Sequence, residues 1–107
     1  MTPEGRLYRA IADPTRRALL DRLRGGEASA GDLASRFSAS RPSISKHLRL
    51  LREARLVSER RQGRQRIYRL NPGPLADVDG WLAKYRVYWT ARLQHLKAFV
   101  ESSEEEP

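Results

Sequence analysis

Residues 40–51 read SRPSISKHLRLL. At helical spacing Arg41, Ser45, Arg49 and Arg52 share one stripe, and Ile44, Leu48 and Leu51 share another. Arginine can bond guanine O6 and N7 bidentately, and serine can bond several base edges. A second group follows at 60–66: Arg60, Arg61, Arg64 and Arg66 around Gly63. Four cations this close repel one another. A minor groove or flanking phosphates would offset that repulsion. Each group also has an ordinary explanation, a solvated helix face for the first and a charged, aggregation-resistant hairpin for the second.

The distribution of charge separates these explanations. The chain has 107 residues and a net charge of +8. Between Arg36 and Arg69 there are eleven Lys and Arg against two acids, Glu53 and Glu59. The remainder holds ten basic and eleven acidic residues, so the whole excess lies in the central segment. Charge spread for solubility would not segregate in this way, and the pattern is the footprint of a polyanion binder. An anionic membrane surface would also attract it. However, no run of eighteen apolar residues is present to span a bilayer. The opening MTPEGRLYRAIADP has no apolar block before a cleavage site, so no signal peptide is expected.

Catalytic and metal chemistry find little support. There is no cysteine, and His47 and His95 are the only histidines. His47 lies near the apolar side of its helix, beside Leu51, and reads as a packed or phosphate-contacting residue. His95 stands alone on the last helix. No convergent ligand set or nucleophile–base–orienter set assembles, because the serines sit at caps and turns. We therefore expect no enzyme activity, no metal and no cofactor. The absence of cysteine fits a cytoplasmic protein.

The elements that must position these residues follow from caps, breakers and periodicity. A short helix covers about Glu4 to Ala12, with Leu7, Tyr8 and Ile11 on one side. Asp13-Pro14 caps a second, to about Arg24, which Gly25-Gly26 ends. Ser29-Ala30-Gly31-Asp32 opens a third with Leu33, Ala34 and Phe37 inward. After a polar turn, Pro42 lies in the first turn of a fourth helix that runs to about Ala54. The period then shifts towards two at 56–61 and 66–70, two strands joined by a glycine turn. Tyr68 and Leu70 share a strand face and read as core. A long helix follows from about Leu75 to Glu101. Residues 102–107, SSEEEP, read as an acidic flexible tail.

The fold class is thus mainly α with a small β-hairpin: a winged helix-turn-helix, one domain over residues 1–101. In such units the second helix of the pair enters the major groove. Ser40, Arg41, Ser43, Ser45 and Lys46 stand near base edges, with Arg49 and Arg52 further along facing phosphates. On the last helix, Val78, Leu82, Tyr85, Trp89, Leu93, Leu96 and Val100 form a coiled-coil-like seam, widened by Trp81, Tyr88 and Phe99. One small domain could not cover all of it, so we expect a homodimer through residues 4–12 and 75–101. Its contacts would be Leu7, Ile11, Trp81, Leu82, Tyr85, Tyr88, Trp89, Leu93 and Leu96. The alternative is a protein-interaction module acting through this aromatic helix.

Taken together, IADPTRRALL at 11–20, GEASAGDLA at 26–34, SRPSISKHLRLLREARLV at 40–57 and GRQRIYRL at 63–70 resemble the ArsR/SmtB-type winged helix-turn-helix repressors. WLAKYRVYWTARLQHL at 81–96 resembles the final helix of the SdpR-like branch. The resemblance implies a homodimer that binds a palindromic operator on double-stranded DNA and represses transcription. It assigns base contacts to Arg41, Ser43, Ser45 and Lys46, and wing contacts to Arg60, Arg61, Arg64 and Arg66. It names no effector; a small molecule or a protein both remain open. Two departures stand out. The cysteine positions of the metal-sensing members hold Ser29 and Gly31. The usual glycine after the recognition helix is Arg55, which must either reshape the helix end or carry strain.

Overall fold

The computed structural model describes residues 1–105, with side chains as far as Ser103. The elements are α1 (Pro3–Ile11), α2 (Pro14–Leu23), β1 (Ala28–Ser29), α3 (Ala30–Arg36), α4 (Arg41–Glu53), β2 (Val57–Gln62), β3 (Gln65–Leu70) and α5 (Leu75–Glu105). They form two compact units, residues 1–75 and a second from Ala76 onward.

In the first unit four helices begin on the same chemistry. The side chains of Thr2, Asp13, Ser29 and Ser40 accept from the backbone N–H three residues on, at 3.0, 3.0, 3.1 and 3.3 Å. Proline fills the first turn of α1, α2 and α4, where its missing N–H leaves nothing unpaired. The core is built from Leu7 and Ala10 of α1, Leu19, Leu20 and Leu23 of α2, Leu33 of α3, and Ile44, Leu48 and Leu51 of α4. Leu56, Val57 and Tyr68 close it at the base of the wing. This corrects one expectation: Leu7 is only 2% exposed and belongs to this core rather than to a surface open to a partner. Its neighbour Ile11, one turn on, is half-buried.

The hairpin β2–β3 is present, and β1 joins it to make a three-stranded antiparallel sheet of order β1-β3-β2. Ala28 pairs with Tyr68 and Ser29 with Ile67. A two-residue strand shows no alternation, so the sequence carried no signal for it. At the hairpin tip, Gly63 takes φ +63° at the first position of the two-residue turn, the conformation that a Gly-led hairpin turn requires.

The end of α4 resolves the question posed by Arg55. Arg55 N–H donates to Arg52 O at 2.9 Å and Leu56 N–H to Leu51 O at 3.0 Å. This pair of bonds is a Schellman closure, with Leu51 and Leu56 both fully buried as its apolar contact. It demands a left-handed residue between them, and Arg55 adopts it at φ +62°. The helix end is therefore not reshaped; the arginine carries the strain. Asn71 helps to hold it, its Nδ2 donating to Arg55 O at 2.8 Å.

The second unit is the helix α5, which continues to Glu105, four residues beyond the expected end. The polar residues 102–105 extend it without a glycine or proline to stop it. Positions 106 and 107 of the expected tail lie outside the described residues.

Because Arg55 pays a left-handed penalty that glycine avoids, Arg55→Gly should stabilise the fold by about 0.5–1 kcal/mol. Thermal unfolding should show a rise in Tm of a few degrees.

Candidate nucleic-acid interface

The apolar stripe of α4 fixes the helix on the core, which turns its other side outward. Arg41, Ser45, Lys46, Arg49 and Arg52 are all exposed. Two adjoining clefts run along this side. The first, about 260 Å³, lies between the start of α3, Arg41 and Ser45 of α4, and Arg64 and Arg66 of the wing. The second, about 380 Å³, is lined by Lys46, Arg49, Arg52, Arg66 and Tyr68, and shares Ala30, Ser45 and Arg66 with the first. A line of cations thus runs from Arg41 through the wing to Arg52, with no acidic residue among those lining either cleft.

The residues expected at the start of α4 divide by role. Ser40 is the N-cap, its Oγ occupied by the Ser43 N–H. Arg41 lies across the first turn of α3. A Cβ at Gly31 would sit 3.1 Å from its Nη2. Gly31 therefore leaves the room that Arg41 uses, and Ser29 is the cap of α3. Ser29 and Gly31 thus both serve the start of α3 and its contact with α4.

The wing arginines do not act as one group. Residues paired across an antiparallel sheet share a face. The register sets Glu59 opposite Tyr68 and Arg61 opposite Arg66 on one face, and Arg60 opposite Ile67 on the other. Arg60 is ion-paired with Glu27, and its Nη2 donates to Gln62 at 3.3 Å. Arg64 occupies the tip beside Gly63. Arg61 faces Arg66 directly, a repulsive like-charge pair.

Three residues that sequence reasoning passed over complete the site. Glu59 Oε2 accepts from the Tyr68 hydroxyl and from Arg52 Nη1, both at 2.7 Å, and lies 3.7 Å from Arg66 Nη1. The Tyr68 hydrogen bond and the two guanidiniums hold the Glu59 carboxyl below its usual range. Burial and the same hydrogen bond push the Tyr68 phenol up. Tyr68 is core, as expected, with a hydroxyl that serves the surface. Glu27 and Arg16 are the other two. Arg16 is buried, its Nε donating to Ala10 O at 2.8 Å and its Nη2 to Arg9 O at 2.9 Å. Its Nη1 lies 3.2 Å from His47 Nδ1. His47 is therefore the packed histidine of the two alternatives and faces inward. The only sequence signal for Glu59 was its being one of two acids in the basic segment.

On α5, Trp81, Tyr85, Tyr88, Trp89, Leu93 and Leu96 are exposed and Leu82 is half-buried. The Trp81 and Tyr85 rings lie 5.3 Å apart, tilted at 55°. Among the described residues no group of three His, Asp or Glu could hold a metal, and no helix is long and apolar enough to cross a membrane.

A family profile described as a helix-turn-helix domain matches residues 11–60, which holds α2, α3, α4 and the start of the wing. The transcriptional repressor SdpR of Bacillus subtilis is 44% identical over 79 residues, 74% of this chain and 88% of that protein. The chain belongs to the ArsR family. A second family relative, the HTH-type transcriptional regulator Rv2034 of Mycobacterium tuberculosis, is 39% identical over 91% of this chain and 88% of its own length. The crystal structure of an ArsR family transcriptional regulator, RHA00566, superposes with a TM-score of 0.74 at 35% identity, covering 83% of this chain and 98% of that one. As an ArsR-family member the chain is a DNA-binding transcriptional regulator and not an enzyme.

Glu59 also makes the fold acid-sensitive. Its folded pKa is lowered, so its contribution is complete above the ordinary glutamate value near 4.5 and is lost as the pH falls through the lower folded value. Glu59→Gln removes that contribution. The Tm gap between the two proteins should be widest near neutrality and should close as pH falls below about 4.

Proposed function

We propose that this regulator is a dimeric repressor that binds a palindromic operator and blocks transcription sterically, by occupying DNA that the polymerase needs. The observation that carries this is the line of exposed cations along the two clefts. It joins the helix that can enter a major groove to a wing that can reach the flanking backbone. Arg41, Ser43, Ser45 and Lys46 would read base edges from the start of α4, within reach of the Ser40 cap. Arg49 would meet phosphates, and Arg61, Arg64 and Arg66 the flanking backbone or minor groove. Arg60 would join them only by leaving Glu27, and Arg66 would engage fully only by leaving Glu59. The site of action would be the cytoplasm, where a bacterial-type operator lies.

The exposed face of α5, with Ile11, is the proposed two-fold interface. It would set two copies of α4 about 34 Å apart, one turn of DNA. The same aromatic face supports the second reading, a module that binds another protein, and the oligomeric state distinguishes the two. Leu93→Glu would place a charge in the middle of the proposed seam. Sedimentation at micromolar concentration should show a dimer for the native chain and a monomer for this variant. A native monomer would favour the interaction module.

The duplex upstream of the protein's own gene should bind about 10³-fold or more tighter than a scrambled duplex at near-physiological salt. Arg41→Ala should relax the base preference at one operator position. Arg64→Ala should weaken binding to every sequence and lower the salt slope by about one unit. Unchanged binding in both variants would remove this docking arrangement.

A further inference from the structure

We propose that Glu59 restrains non-specific DNA binding: it pairs with Arg52 and Arg66 through their Nη1 atoms and so withholds two cations from the phosphates of non-operator DNA. This rests on the reading that the α4–wing surface is the DNA interface.

Glu59 differs from an isolated surface ion pair in having a third partner, the hydroxyl of buried Tyr68. Its side chain is 21% exposed, against 43% for Arg52 and 59% for Arg66. The carboxylate is thus more enclosed than either guanidinium, and from β2 it links Arg52 of α4 to Tyr68 and Arg66 of β3. Tyr68, directly opposite on β3 and 5% exposed, fixes it from below through the hydroxyl bond. Neither arginine can move fully toward an incoming phosphate without leaving a carboxylate that the sheet itself anchors. Lys46, Arg49 and Arg64 line the same clefts and, among the described residues, make no ion pair.

Non-specific affinity is set by the number of cations that displace counterions, whereas sequence preference is set by base edges. An acid that occupies two phosphate-facing arginines lowers the first without touching the second. Sequence preference is then left to the base-reading residues at the start of α4.

The experiment is a salt titration of the full chain on a random duplex of about 20 base pairs, between about 0.05 and 0.2 M salt. The native protein is compared with Glu59→Gln, Arg52→Gln and Arg49→Gln, each checked for a native-like thermal transition. Glu59→Gln should bind the random duplex about tenfold tighter or more at the upper salt, with a slope steeper by about two units, one for each released arginine. Arg52→Gln should leave the slope almost unchanged, whereas Arg49→Gln should lower it by about one unit. If Arg49→Gln weakens binding while Glu59→Gln leaves it unchanged or weaker, the proposal is overturned and the interface stands. If Arg52→Gln costs as much slope as Arg49→Gln, the proposal is overturned even should Glu59→Gln fail to fold. If Arg49→Gln has no effect, the interface reading itself fails and the role of Glu59 falls with it.

Discussion

The buried guanidinium of Arg16 is the interaction on which the rest of the first unit depends. A cation taken out of water costs several kcal/mol unless its donors are all met. Arg16 meets this demand with the last carbonyls of α1, Arg9 O and Ala10 O, which carry the negative end of that helix. The remaining edge reaches His47 on the inner side of α4. One side chain thus closes α1, begins in the first turns of α2 and reaches the inner side of α4. The apolar stripe of α4 and this contact together face the core, which decides which residues of SRPSISKHLRLL face outward. The basic stripe reaches solvent because Ile44, Leu48 and Leu51 face the core and His47 is held beside it.

The outward surface is a compromise between binding and standing alone. Cations that would meet DNA repel one another in its absence, most directly at Arg61 and Arg66. Two acids moderate this, and they do so differently. Glu27 draws Arg60 to the far face of the wing, toward the root of α3. Glu59 sits between α4 and β3 and neutralises from inside. The free protein is therefore less cationic along its clefts than its composition alone implies.

Much of this was legible in the sequence because it rests on local rules. The caps at Asp13 and Ser29, the prolines at 14 and 42 and the glycine turn are short-range signals and were legible, whereas Thr2 and Ser40 cap α1 and α4 by the same chemistry without having been singled out. The apolar spacing of α4 gave both its buried and its exposed side. What escaped depends on contacts far apart in the chain. Glu59 and Tyr68 are nine residues apart, Arg60 and Glu27 thirty-three, and Arg16 and His47 thirty-one. No periodicity reports such pairs. Leu7 was misplaced for a related reason: an apolar residue on a short amphipathic helix looks the same whether the core or a partner covers it. Arg55 was the reverse case. The motif marked the position as left-handed, and only the backbone could say that arginine accepts it.

Ser29 holds a place in two elements at once. Its backbone pairs with Ile67 as the last residue of β1, and its hydroxyl caps α3 through Asp32. The root of the wing and the first turn of the helix pair are consequently joined at a single residue, with no slack of linker between them. Mechanically the wing is a lever whose fulcrum is the helix-turn-helix itself. Bending its tip towards or away from a duplex would load the start of α3, because backbone pairing between β1 and β3, and not side-chain packing alone, ties the wing to the helix pair.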